Sequence, residues 1–142
     1  MFQYDGGKKG EEKDDYVRVL LVDDQKPFLL LSRKIVSRMT GMEVVGEAAD
    51  GVAAVKMAEE LRPDLVLMDV QMPGLNGFQA SARILEKLPG TRIVILSAYD
   101  ENEYLALLQE VKVVGFISKT NFNARTLGKL LDKSAENQRS TG

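Results

Sequence analysis

Four short stretches of this 142-residue chain carry side chains able to do chemistry, and each closes an apolar run. Leu65-Val66-Leu67-Met68 ends in Asp69, followed by a loop punctuated by Pro73, Gly74 and Gly77. The run from Val17 to Val22 ends in Asp23-Asp24, the run 92–96 in Ser97-Ala98, and the run 113–117 in Ser118-Lys119. The chain has no His and no Cys, which removes imidazole catalysis, thiolate chemistry and the commonest transition-metal ligands. Oxygen chemistry with hard cations remains. Three clustered carboxylates repel and raise one another's pKa. Mg²⁺ relieves this: it takes oxygen ligands, keeps several waters, and is typically held by one or two carboxylates plus a phosphate. An Asp carboxylate is also a nucleophile toward phosphorus. With Lys119 offsetting phosphoryl charge and Ser97 donating a hydrogen bond, the set is suited to receiving a phosphate on Asp69.

These residues can cooperate only if the fold brings them together. The 65–69 run, apolar throughout and bounded by turn signals, reads as a strand buried on both faces. Before it, Val17–Val22 is a first buried strand. Pro27 then suits the first turn of a helix, whose apolar face carries Phe28, Leu31, Ile35 and Met39 and which closes at Thr40-Gly41. A shorter strand spans 43–48, and a helix over 52–61 turns Ala54, Val55, Ala58 and Leu61 inward. After the central strand, a helix over 77–88 turns Phe78, Ala82, Leu85 and Leu88 inward. The strand 92–96, a helix over 101–109, the strand 113–117 and a last helix over 122–135, burying Leu127, Leu130 and Leu131, complete the pattern.

Five strands alternating with five helices predict a parallel sheet covered on both faces. Right-handed crossovers favour the doubly wound, flavodoxin-like strand order 2-1-3-4-5 at this length. In that order strands 1, 3, 4 and 5 are neighbours, and all carboxyl ends lie on one edge. Asp23-Asp24, Asp69, Ser97 and Lys119 then share one crevice. Singly, each has a bland explanation: Asp caps helices, Ser bonds nearby backbone, and Lys is usually solvated. Their coincidence on one edge is what the bland account cannot supply.

The fragments V-L-L-V-D-D (19–24), L-V-L-M-D-V-Q-M-P-G-L-N-G (65–77), I-L-S-A (95–98) and G-F-I-S-K (115–119), in order and at these spacings, resemble the receiver domain of a two-component response regulator. The resemblance implies Asp69 as phosphoacceptor and Asp23 with Asp24 as the acidic pair that, with Asp69 and the Gln71 backbone carbonyl, holds Mg²⁺, with Mn²⁺ as a substitute. It implies Ser97 as switch hydroxyl, Lys119 as partner of the phosphate, and Phe116 as switch aromatic. Gln71 and Tyr99 match the positions that tune phosphoryl lifetime; both are uncharged, which favours slow self-dephosphorylation. Receivers commonly follow the lysine with Pro, whereas Thr120 stands here. A cis bond before a non-proline residue costs roughly 2.5–4 kcal/mol, so a trans peptide and a different loop are expected. The missing proline and G-E-A-A-D-G (46–51) resemble the subfamily linked to LuxR/NarL-type helix-turn-helix output domains.

The expected domain organisation is a polar tail over 1–16, a receiver over 17–136 and a polar linker or tail over 137–142. The formal charge of −2 resides in the first 16 residues, and the rest balances to zero, so no basic footprint for nucleic acid follows. No apolar run approaches membrane-spanning length, and no signal-peptide pattern opens the chain; a cytoplasmic protein is expected. The resemblance implies phosphorylation by a sensor histidine kinase or a small phosphodonor, no turnover on an external substrate, a homodimer on phosphorylation, and DNA contact only through an output domain outside this chain. Two rivals are a pseudo-receiver that binds partners without phosphorylation and an Asp-nucleophile phosphohydrolase. The second would need an acid two residues after Asp69, where Gln71 stands and cannot usefully exchange a proton.

Overall fold

A computed structural model describes residues 16–98 and 110–141, with side chains to 135. Five parallel strands, β1 (Val17–Val22), β2 (Met42–Ala48), β3 (Leu65–Asp69), β4 (Arg92–Ser97) and β5 (Gly115–Ser118), lie in the order 2-1-3-4-5. Three helices, α1 (Lys26–Ser37), α2 (Gly51–Leu61) and α3 (Gly77–Lys87), alternate with them, and a C-terminal helix spans Ala124–Thr141. The predicted helix 101–109 and Tyr99 lie outside the described residues, as does most of the 1–16 segment.

Alternation along the central strands divides the core into two layers. Val19 and Leu21 of β1 and Leu65 and Leu67 of β3 face α1 and the C-terminal helix, meeting Leu29, Val36, Leu127 and Leu131. Leu20 and Val22 of β1 and Val66 and Met68 of β3 face the other way, toward Ala54 and Ala58 of α2 and Phe78 and Ile84 of α3. Every residue of β3 is buried, which is why the run before Asp69 is continuously apolar rather than alternating.

Two helices present faces different from those expected. In α1, Leu31 is 44% exposed while Leu29, Ser32 and Val36 are buried. Three consecutive leucines (29–31) sweep more than half a helix circumference, so only packing selects which one points inward. In α3, Ala82 is exposed, and Ser81 and Ile84 join Phe78 on the buried face. The helix is rotated by about one residue because Asn76 caps it and fixes its entry: Asn76 accepts from the Gln79 amide, and the Gln79 side chain accepts from the Asn76 amide.

The chain after β5 also departs from expectation. β5 starts at Gly115, although the Val114 amide already donates to the Ile93 carbonyl at 2.8 Å. Lys119–Asn121 form a 3-10 turn capped by Ser118, whose Oγ lies 2.9 Å from Thr120 Oγ1. The Lys119–Thr120 peptide is trans, as the absence of proline predicts. Phe122 is extended and buried, so the last helix begins at Ala124, with Asn123 Oδ1 accepting from the Thr126 amide. That helix continues past Ala135 to Thr141, into the 137–142 stretch expected to be a polar linker or tail.

Candidate functional site

The carboxyl edge of the sheet assembles the site. The ladder pairs Val22 with Met68, Asp69 with Leu96, and Ser97 with Ser118, so strands 1, 3, 4 and 5 release their chemical residues side by side. Beyond β3 the chain turns sharply. Pro73 precedes Gly74 at φ +75°, the backbone conformation for which a type II turn needs glycine. Gly77 then returns against the strand end: its amide donates to the Val70 carbonyl at 2.8 Å, and a Cβ on it would lie 2.1 Å from the Asp69 carbonyl oxygen. This close approach holds the loop against Asp69.

Asp23 and Asp69 are buried and Asp24 is exposed. One carboxylate oxygen from each lies within 4.8 Å of those of the other two. Lys119 bridges two of them, with Nζ 2.7 Å from Asp23 Oδ2 and 3.3 Å from Asp69 Oδ1. Asp23 Oδ1 accepts the Gln25 amide at 2.8 Å. The Asp23 Oδ2 contact with Lys119 is close enough for strong charge attraction, yet among the described residues that buried oxygen has no partner aligned for a hydrogen bond. Burial, reinforced by Asp23, raises the Asp69 carboxyl to about 6; Lys119 opposes the rise and Asp24 adds slightly to it. One lysine does not neutralise three carboxylates. The donors are all hard oxygens and one buried lone pair lacks an aligned donor, so the residues fit a hard divalent cation.

A cleft of about 270 Å³ opens over this cluster, lined by Asp24, Gln25, Asp69, Gln71, Ala98 and Lys119. The expected residues Asp23, Asp24, Asp69 and Lys119 therefore meet, with Gln71 on the rim. Ser97 is buried at the end of β4, directly before the cleft residue Ala98. Phe116 is half-buried, opposite Ile95 in the β4–β5 register and packed on the α2–α3 side of the sheet, away from the cleft lining. One participant was not anticipated from the sequence: the Phe28 ring lies under the Lys119 ammonium, 4.4 Å from Nζ to the ring centroid. Its spacing on α1 indicates only a core residue.

Comparison with known proteins agrees with this geometry. The profile of the response regulator receiver domain matches residues 19–132. The chain is 40% identical over 105 residues to the uncharacterized transcriptional regulatory protein YxjL of Bacillus subtilis, covering 74% of this chain and 48% of that protein. It is 33% identical over 103 residues to the response regulator GacA of Pseudomonas aeruginosa, covering 72% and 48%. The chain thus spans about half the length of these curated relatives. Among solved structures, the receiver domain of the putative response regulator NarL from Mycobacterium tuberculosis superposes with a TM-score of 0.76 at 31% identity, covering 84% of this chain and 97% of that one. The response regulator domain of Thermotoga maritima CheB gives 0.70 at 32% identity, covering 85% and 95%. Among the described residues no helix is long and apolar enough to cross a membrane. With its strand order, its acidic sheet edge and a matching profile along most of its length, the chain belongs to the response regulator receiver domain family.

Proposed function

We propose that this chain is a phosphorylation-activated switch of a two-component system in which Asp69 accepts the phosphoryl group. The observation that supports this best is the meeting of Asp69 with Asp23, Asp24 and Lys119 beneath an open cleft. An Asp69 carboxylate oxygen attacks phosphorus and forms the acyl phosphate bond. The donor's bond to phosphorus breaks, a P–N bond for a kinase phosphohistidine or a P–O bond for acetyl phosphate, and its electron pair leaves with the donor. Asp23, Asp24 and Asp69, with the Gln71 backbone carbonyl, would hold Mg²⁺ or Mn²⁺, a cation that would offset negative charge on the phosphoryl oxygens. Lys119 supplies the remaining positive charge, moving its attraction from the carboxylates to the phosphoryl group.

After transfer, the Ser97 hydroxyl donates to a phosphoryl oxygen and Phe116 repacks. The change is a bias between two arrangements of the same fold rather than a new one. Gln71 and Tyr99 set the lifetime of the acyl phosphate, which decays slowly by self-dephosphorylation. The donor in the cell is a sensor histidine kinase. The output is transcription through a DNA-binding domain and a phosphorylation-dependent homodimer, a reading supported by relatives named as transcriptional regulators.

Intact mass after incubation with acetyl phosphate tests the proposal. The expected result is a gain of one phosphoryl group that requires Mg²⁺, is removed by hydroxylamine, and is absent in Asp69→Asn. Undiminished labelling of Asp69→Asn would refute the assignment of the acceptor. No labelling under any condition would favour the pseudo-receiver.

A further inference from the structure

Lys119 is held by more than charge. Its ammonium lies 4.4 Å from the centroid of the Phe28 ring, inside the range at which a cation is attracted by a ring's negative face. Phe28 sits in the first turn of α1, directly after Pro27. Its ring rests on that of buried Phe122, with centroids 5.8 Å apart and planes at 39°. Phe122 caps the 3-10 turn that begins at Lys119 itself. The lysine, the ring beneath it and the ring behind that one thus join α1 to the loop after β5.

The Lys119 side chain is only 11% exposed, so the ring replaces water on one side of the ammonium, where the attraction is stronger than at an open surface. Among the described residues its ion-pair partners are Asp23 and Asp69, whose charges are redistributed when a cation and a phosphoryl group enter the cleft. The ring bears no formal charge and competes for neither. It can hold the ammonium steady while those partners change, which an aliphatic side chain of similar volume cannot do.

We propose that Phe28 is the positioning residue for Lys119: its ring face keeps the ammonium at the mouth of the acidic cluster, where it meets the phosphoryl group arriving at Asp69. This rests on the phosphoacceptor reading above. The test compares acetyl phosphate labelling rates, with Mg²⁺, of the wild type and of Phe28→Leu, Phe28→Met and Phe28→Tyr, each checked for folding by urea unfolding. The second readout is the NMR shift of the Lys119 ε-methylene protons, assigned with Lys119→Ala. Leu and Met should slow labelling roughly three- to tenfold, whereas Tyr should stay within about twofold of wild type. An upfield ring-current shift should be present with Phe and Tyr and absent with Leu and Met.

Leu and Met variants that label at the wild-type rate would overturn the proposal, as would equal slowing by Leu, Met and Tyr, which signals lost packing alone. A wild type lacking the upfield shift overturns it without any variant. A wild type that takes no phosphate overturns the phosphoacceptor reading and this proposal together; one that labels while Leu and Met match it overturns this proposal alone.

Discussion

Removing the charge of Asp69 should stabilise the metal-free protein, even though it discards an ion pair with Lys119. The carboxyl stands at about 6 in the fold against 3.8 as the reference value. A rise of that size corresponds to about 3 kcal/mol by which deprotonated Asp69 opposes folding. The attraction of Lys119 is already included in that balance, and burial together with Asp23 outweighs it. Asn keeps the shape but leaves some amide hydrogen-bonding capacity unmet, at about 1 kcal/mol or more, so the net gain for Asp69→Asn should be about 1–2 kcal/mol above pH 7. The sign with pH follows from proton counts. Between 3.8 and about 6 the native state keeps the proton that the unfolded chain has released, so this group's contribution to stability falls as pH rises through that window. Near the lower edge of that window the native carboxyl stays protonated and the penalty is mostly gone, so Asn gains little. Urea unfolding in chelator, wild type against Asp69→Asn, at about pH 7.5 and pH 4 measures the difference. The expected midpoint increase is roughly 0.5–1 M at the higher pH, shrinking to near zero at the lower. An Asn variant less stable at pH 7.5, or an advantage equal at both, would show that Asp69 is not held at a disadvantage and would refute the electrostatic account.

Three further perturbations follow from the same geometry. Mg²⁺ at about ten times its dissociation constant should raise wild-type stability by about 1.4 kcal/mol, with most of that gain lost in Asp24→Asn; midpoints with and without the ion measure it. Gly77→Ala would push a Cβ to 2.1 Å from the Asp69 carbonyl oxygen, so it should cost more than about 2 kcal/mol in urea unfolding and slow phosphate uptake by displacing the acceptor. Arg18 Nη1 donates to the Leu61 and Arg62 carbonyls at 2.7 and 3.0 Å, closing the end of α2; Arg18→Met should cost about 1–2 kcal/mol while leaving labelling at its wild-type rate.

The strands and their order were legible in the sequence because burial on both faces demands continuous apolar runs, and alternation with helices demands parallel pairing. The polar residues closing those runs had to share an edge once that order held. The chain alone therefore identifies Asp23, Asp24, Asp69, Ser97 and Lys119 as residues of one sheet edge. Other features depend on contacts between segments distant in the chain. Leu29 rather than Leu31 faces the sheet, and Ile84 rather than Ala82 is buried, because a helix's rotation is set by its cap and its neighbours more than by its own composition. Asp69's raised pKa comes from burial and from Asp23, which approaches along a different strand. The ring under Lys119 comes from α1, and the ring behind it from the loop after β5. Periodicity along one segment reports what must be buried; which side chains meet there is a matter of packing, and only the tertiary structure decides it.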